Sequence, residues 1–196
     1  MVINLGLVAI LALVAVAVFR GGLLRGVGMF LSVLVAASLA TAWYESLAAW
    51  LEKQLPAYAY FLDIAAAWLL FGLILAALAA AATWLVRGEI RFAKPVEIGG
   101  SVVIALMTAW TVVEFTALSL HTAPLKADAV PTKPGTSMLF GLKPDRCWLW
   151  WMRGSSRNGP FANPAGVFDP ENDFVERHEL RRTQLAQEPS IILPGK

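Results

Sequence analysis

The sequence predicts an all-α, multi-pass membrane protein with four transmembrane helices and a Pro-rich extramembrane C-terminal tail ending in a short helix. Three observations predict it. The chain of 196 residues is 58% hydrophobic and only 15% charged, with a mean hydropathy of +0.62, whereas a soluble domain carries about 45–50% apolar and about 25% charged residues. The charge is also unevenly placed. Residues 1–120 hold six Lys/Arg and six Asp/Glu, and residues 121–196 hold ten and eight. Finally, four segments of 1–120 approach the ~20 mostly apolar residues a membrane helix needs. Lipid leaves bare backbone groups unsatisfied, so these segments are read as helices. The expected organisation is a four-helix transmembrane domain, 1–120, and an extracytoplasmic tail, 121–196.

The first segment runs from Val2 to Phe19 with one polar side chain, Asn4. Its Ala15-Val16-Ala17 resembles a cleavage site. A signal peptide carries its positive charge before the apolar stretch, whereas here Arg20 and Arg25 follow it, so a retained helix is expected. The second segment, about Val27 to Tyr44, has no charge. The third, about Tyr60 to Val86, has Asp63 near its start, and the fourth, about Ile98 to Leu120, contains Glu114.

Orientation follows from Lys and Arg in the short loops. Arg20 and Arg25 occupy the first loop, and Arg87, Arg91 and Lys94 the third; the second holds Glu45, Glu52 and Lys53. Loops one and three are thus expected in the cytoplasm, and the N-terminus, loop two and tail outside it. Long segments translocate largely regardless of charge, so the basic tail does not oppose this. Trp43, Trp50, Trp84, Tyr58 and Tyr60 fall near the predicted interfaces, as aromatic belts do.

Membrane helices approach closely where small residues recur every four positions. Gly28, Ser32, Ala36 and Ala40 form such a stripe on the second helix; Gly72, Ala76 and Ala80 on the third; Ser101, Ala105 and Ala109 on the fourth. They are read as tight interfaces, within the chain or with a partner, against the plainer reading that alanine is abundant. Asp63 reads as a carboxylate in the first turn of a helix, where the macrodipole favours it. Glu114, two turns inside its helix, is a functional candidate because an intramembrane acid is costly; the alternatives are that it reaches the interface or bonds a neighbouring helix. His121, seven residues on, lies on nearly the same face, which raises a Glu114–His121 proton relay.

In the tail, Pro124, Pro131, Pro134 and Pro144 with Gly135 and Gly141 mark residues 121–144 as an extended linker. Trp148, Trp150 and Trp151, flanked by Arg146 and Arg153, suit a membrane interface or a partner's groove, or else form a hydrophobic nucleus for the tail itself. Residues 154–168 read as a loop. Asp169 as N-cap and Pro170 at the first position open a helix to about Gln187. Its face of Phe174, His178, Arg181 and Leu185 is expected to dock on something.

Catalytic chemistry finds little footing. One cysteine, Cys147, excludes an intrachain disulfide and a Cys-based metal cluster. The histidines His121 and His178 lack carboxylates at ligand spacing, there is no P-loop, and Gly154-Ser155-Ser156 is no nucleophile elbow. The net charge of +2 is small and mixed in sign, so nucleic acid is not an expected partner. No enzyme, cofactor or metal is expected. The expected partners are the lipid bilayer and a protein partner or a second copy of the chain.

An apolar first helix, the basic turn Arg20-Gly21-Gly22-Leu23-Leu24-Arg25-Gly26 and a small-residue second helix resemble the CvpA family, the colicin V production proteins. The third helix, with Ala65-Ala66-Ala67-Trp68-Leu69-Leu70-Phe71, and the basic loop leading to Gly99 and Gly100 are also similar. The resemblance covers about residues 1–120. Two positions differ: Asn4 stands where the family often has Asp, and Gly99 and Gly100 are adjacent rather than separated. The resemblance implies a bacterial inner-membrane protein linked to toxin export and envelope homeostasis, without a known reaction or catalytic residues to carry over. Arg20 and Arg25 match the family's basic turn and hold that loop inside; they also offer a lipid-headgroup contact. Two other expectations are an accessory or scaffold subunit docked through the Trp cluster and terminal helix, and a small transporter or proton channel using Glu114 and Asp63.

Overall fold

The computed structural model describes residues 2–85, 93–123, 125, 138–157, 161 and 166–187. The cations Arg87 and Arg91, the Trp84 side chain and the linker residues Pro124, Pro131, Pro134 and Gly135 lie outside the described residues. Four long helices form the body: α1 (Val2–Phe19), α2 (Gly22–Gln54), α3 (Ala59–Leu85) and α4 (Lys94–His121). All four are long and apolar enough to cross a membrane, and the chain is a membrane protein. Two shorter helices follow, α5 (Pro144–Ser156) and α6 (Phe174–Gln187).

The helices stand in the order α1, α4, α2, α3, with α2 and α4 parallel at the centre and α1 and α3 at the edges. The α1–α2 turn sets this arrangement. Gly22 adopts φ +77°, and a Cβ there would lie 2.8 Å from Glu97 Oε1 on α4. That carboxylate accepts a hydrogen bond from the Leu23 backbone N–H at 2.9 Å. Glu97 is in the first turn of α4 and so sits at the positive N-terminal ends of two helices at once. The Leu23 side chain fills the space over Gly100, where a Cβ would meet Cδ1 at 2.8 Å.

The small-residue stripes behave unequally. Ser32, Ala36 and Ala40 on α2 and Ser101, Ala105 and Ala109 on α4 are buried, and Gly28 is half-buried, facing the Ala82 Cβ at 4.0 Å. On α3 the reading of a stripe buried within the chain is corrected: Gly72, Ala76 and Ala80 lie on its exposed face. The helix instead buries Leu62, Ala66, Ala67 and Phe71. The reason is aromatic bulk. Phe71 stacks on Phe115 with centroids 4.9 Å apart, and Trp68 meets Phe115 edge-on at 5.4 Å, which orients α3 more strongly than small-residue contact.

Three threonines inside α4 bond to their own helix. Thr108, Thr111 and Thr116 donate to carbonyls one turn back at 2.7–3.0 Å. This satisfies the hydroxyls without a partner helix, as a lipid surround requires.

Several boundaries differ from expectation: α2 starts at Gly22 rather than about Val27 and α4 at Lys94 rather than about Ile98, so Arg25 and Lys94 are helical rather than loop. α2 continues ten residues past Tyr44, so Glu45, Glu52 and Lys53 are helical rather than loop; buried Tyr44 and Ala48 extend its packed face beneath the tail. α5 reaches Ser156, so Gly154, Ser155 and Ser156 are helical, and the Ser156 hydroxyl accepts from the Phe168 backbone N–H at 3.0 Å. α6 begins at Phe174 rather than at Pro170. Asp169 still caps it, from further back: at φ +49° its Oδ1 accepts from the Asp173 and Phe174 backbone N–H groups at 2.9 and 3.0 Å.

Candidate functional site

The tail folds back onto the bundle. Trp148 is fully buried, its indole N–H donating to Thr41 Oγ1 of α2 at 3.0 Å and its ring edge-on to Phe115 of α4. Trp151 donates to Ser38 Oγ at 3.1 Å. Met152 and Leu149 are buried in the same core. Of the two readings of the Trp cluster, these contacts favour the hydrophobic nucleus, with the transmembrane bundle as its other half. Trp150 alone points outward, 76% exposed. The first turn of α5 is tied to the end of α4, where His121 Nε2 lies 3.1 Å from Asp145 Oδ2, both buried. A carboxylate only accepts, so Nε2 carries the proton. The Leu139 backbone N–H completes the docking by donating to Asn4 Oδ1 of α1 at 3.0 Å.

α6 closes over the same end. The face expected to dock does so: Phe174 and His178 are buried. His178 Nδ1 lies 2.8 Å from the Phe174 carbonyl, which only accepts, so Nδ1 is protonated; Nε2, left as an acceptor, lies 3.1 Å from the Tyr44 hydroxyl, whose single proton is shared with Glu45 Oε1 at the same distance. Burial lowers the His178 pKa to about 4, with Arg177 and Arg181 acting in the same direction against the Phe174 hydrogen bond. Around it lies a clasp of charge. Arg181 pairs with Glu52 of α2 and, at 3.1 Å, with Asp63 of α3. Arg177 lies 3.9 Å from Glu45. Asp63 therefore serves as a tertiary anchor, beyond the first turn of α3, which corrects its reading as a first-turn acid stabilised by the helix end. Beside these, the guanidinium nitrogens of buried Arg182 have no hydrogen-bond partner among the described residues.

Glu114 is half-buried on α4, with the Trp110 indole one turn back in hydrogen-bonding contact. It lines an open depression of about 640 Å³ between α5 and the α2–α4 pair. Lys143, Arg146, Trp150 and Trp151 share that depression, as do Phe30 and Leu34 of α2. Burial, and then the nearby Glu114 and Asp145 carboxylates, push the Cys147 thiol above its ordinary range. Asp63 lines a different depression, under α6, and His121 is engaged by Asp145. His121 does not line the Glu114 depression, and its partner in the structure is Asp145.

Arg20 and Arg25 are exposed at the α1–α2 turn. Arg25 borders a cavity of about 350 Å³ whose walls include Gly28, Ser32 and Ala82. Among the described residues no group of His, Cys, Asp and Glu is placed to hold a metal ion. Sequence reasoning missed Thr41, Ser38, Tyr44 and Asp145, because lone polar residues in or beside apolar stretches carry no local pattern. Comparison with known proteins found no matching family model, no matching curated protein and no matching solved structure.

Proposed function

We propose that the chain is a non-enzymatic protein of the bacterial inner membrane, similar to the colicin V production proteins, that assists export or envelope homeostasis as a packing scaffold. The observation that carries the reading is the basic glycine turn. Gly22 and Gly100 stand where a side chain would collide with Glu97 and Leu23, so the residues that prompted the resemblance have a structural reason to be there. In this reading Arg20 and Arg25 face the cytoplasm, and the N-terminus and tail lie outside it. The tail is engaged by the chain's own bundle through Trp148, Trp151, His121 and Arg181. The scaffold then presents the flanks of the edge helices α1 and α3.

A second reading, an accessory subunit or homo-oligomer, is favoured by one observation: the Gly72 and Ala76 stripe of α3 is exposed, and small-residue faces support close helix contact. The transporter reading gains no such support, because Glu114 and Asp63 line separate depressions. The test is purification of the native protein in mild detergent with mass spectrometry of co-eluting chains. A lone chain fits the scaffold reading. A partner or second copy in fixed ratio, lost in a Gly72→Leu/Ala76→Leu variant, moves the assignment to the subunit reading.

A further inference from the structure

The depression around Glu114 gathers charges that ion pairs among the described residues leave largely free. Glu114 forms no ion pair among the described residues, and neither does Lys143. Arg146 reaches only Asp145, at 3.8 Å, and remains 44% exposed. One carboxylate, two cations and the exposed Trp150 therefore open onto one space. Its floor continues onto Phe30 and Leu34, side chains of an apolar membrane helix. The Trp110 indole gives Glu114 one hydrogen bond but no counter-charge; a carboxylate at membrane depth without a counter-ion is costly, and an ammonium group lowers that cost by pairing with it. Tryptophan faces attract the same cation. Lys143 and Arg146 suit a phosphate.

We propose that this depression binds a membrane phospholipid with a zwitterionic, primary-amine headgroup. The lipid's ammonium group pairs with Glu114 against Trp150. Its phosphate lies by Lys143 and Arg146, and an acyl chain follows Phe30 and Leu34. The bilayer supplies this ligand at high local concentration, which commits the site to a lipid rather than to a soluble phosphate. Both signs of charge are needed: a purely anionic headgroup meets Glu114 unfavourably, and a quaternary amine cannot donate a hydrogen bond to it.

The experiment is native mass spectrometry of the delipidated full chain, titrated in turn with phosphatidylethanolamine, phosphatidylglycerol and phosphatidylcholine in one detergent. The expected result is preferential retention of phosphatidylethanolamine. Glu114→Gln should lower that preference about tenfold, the size of one charge-assisted hydrogen bond. Lys143→Gln/Arg146→Gln should weaken all three lipids. Trp150→Ala removes an exposed side chain without touching the core and should weaken both amine lipids, phosphatidylethanolamine and phosphatidylcholine, relative to phosphatidylglycerol. Equal retention of the three lipids by the wild-type chain overturns the proposal. An unchanged preference in Glu114→Gln, or in Trp150→Ala should Glu114→Gln fail to fold, does so too. Competition by soluble phosphoethanolamine at the lipid's own concentration overturns the lipid assignment.

Discussion

His178 illustrates how one side chain ties the tail to the membrane domain. Its neutral imidazole bridges the Phe174 carbonyl and the Tyr44 hydroxyl, and burial holds its pKa at about 4, below the ordinary ~6.5. Between these values the unfolded chain binds more protons than the folded one, so stability rises with pH. Docking of α6 is therefore complete above about pH 6.5 and is weakened as pH falls towards 4, where a protonated imidazole would face Arg177 and Arg181. Hydrogen exchange of the α6 amides at pH 7 and pH 4.5 checks this. After correction for the slower intrinsic exchange at low pH, lower protection factors are expected at pH 4.5, with a smaller pH response in His178→Gln, and a wild-type response equal to that variant's would refute it. The docking chemistry was partly legible: the face of Phe174, His178 and Arg181 was visible as one needing a partner. Tyr44 and Asp63 were not recognisable as that partner, because 134 positions separate Tyr44 from His178 and nothing local links them.

Among the elements, the α1–α2 turn makes the strongest demand on residue type. Gly22→Ala forces a side chain into positive φ and against Glu97; conformations of this kind cost about 1–3 kcal/mol. Gly99→Ala is the control. It lies inside α4, where an added methyl group would meet nothing within 4 Å, and should be neutral or stabilising by about 0.5–1 kcal/mol. Thermal melts of the two variants in one detergent check the difference, and equal melting temperatures would contradict the role given to Glu97. Helix existence was legible for all four spans because apolar length is a direct signal. The extension of α2 beyond Tyr44 was not, because Glu45, Glu52 and Lys53 read as a polar loop until the α6 partners of Glu45 and Glu52 are known. The outward face of Gly72 and Ala76 was hidden for a related reason: the small-residue pattern competes with Phe71 and Trp68, and only packing decides which side wins.

For the whole molecule, the arrangement predicts one sidedness. The Gly22 and Glu97 end of the bundle carries Arg20 and Arg25, and the opposite end carries α6, Glu45 and Glu52. Single cysteines introduced by Arg20→Cys and Lys53→Cys in a Cys147→Ser background should label differently in intact bacterial cells. An impermeant maleimide should reach position 53 directly and position 20 only after permeabilisation; the reverse pattern would invert the orientation. The membrane class was readable from composition. The return of the tail was not, since its Pro-rich stretch reads as a tether and its tryptophans have no sequence neighbour to show where they go.

The length of α2 has a mechanical consequence. Its 33 residues form a rod of about 50 Å, whereas the hydrocarbon layer is about 30 Å thick. A layer of that thickness leaves part of the rod over, and the residues that grip α6, Glu45 and Glu52, lie towards its C-terminal end. A helix accommodates a thinner bilayer by leaning, and by simple geometry a lean of about 10° sweeps the tip of a rod this long through about 9 Å. A bundle that leans to fit a thinner bilayer therefore carries its α6 cap sideways with it.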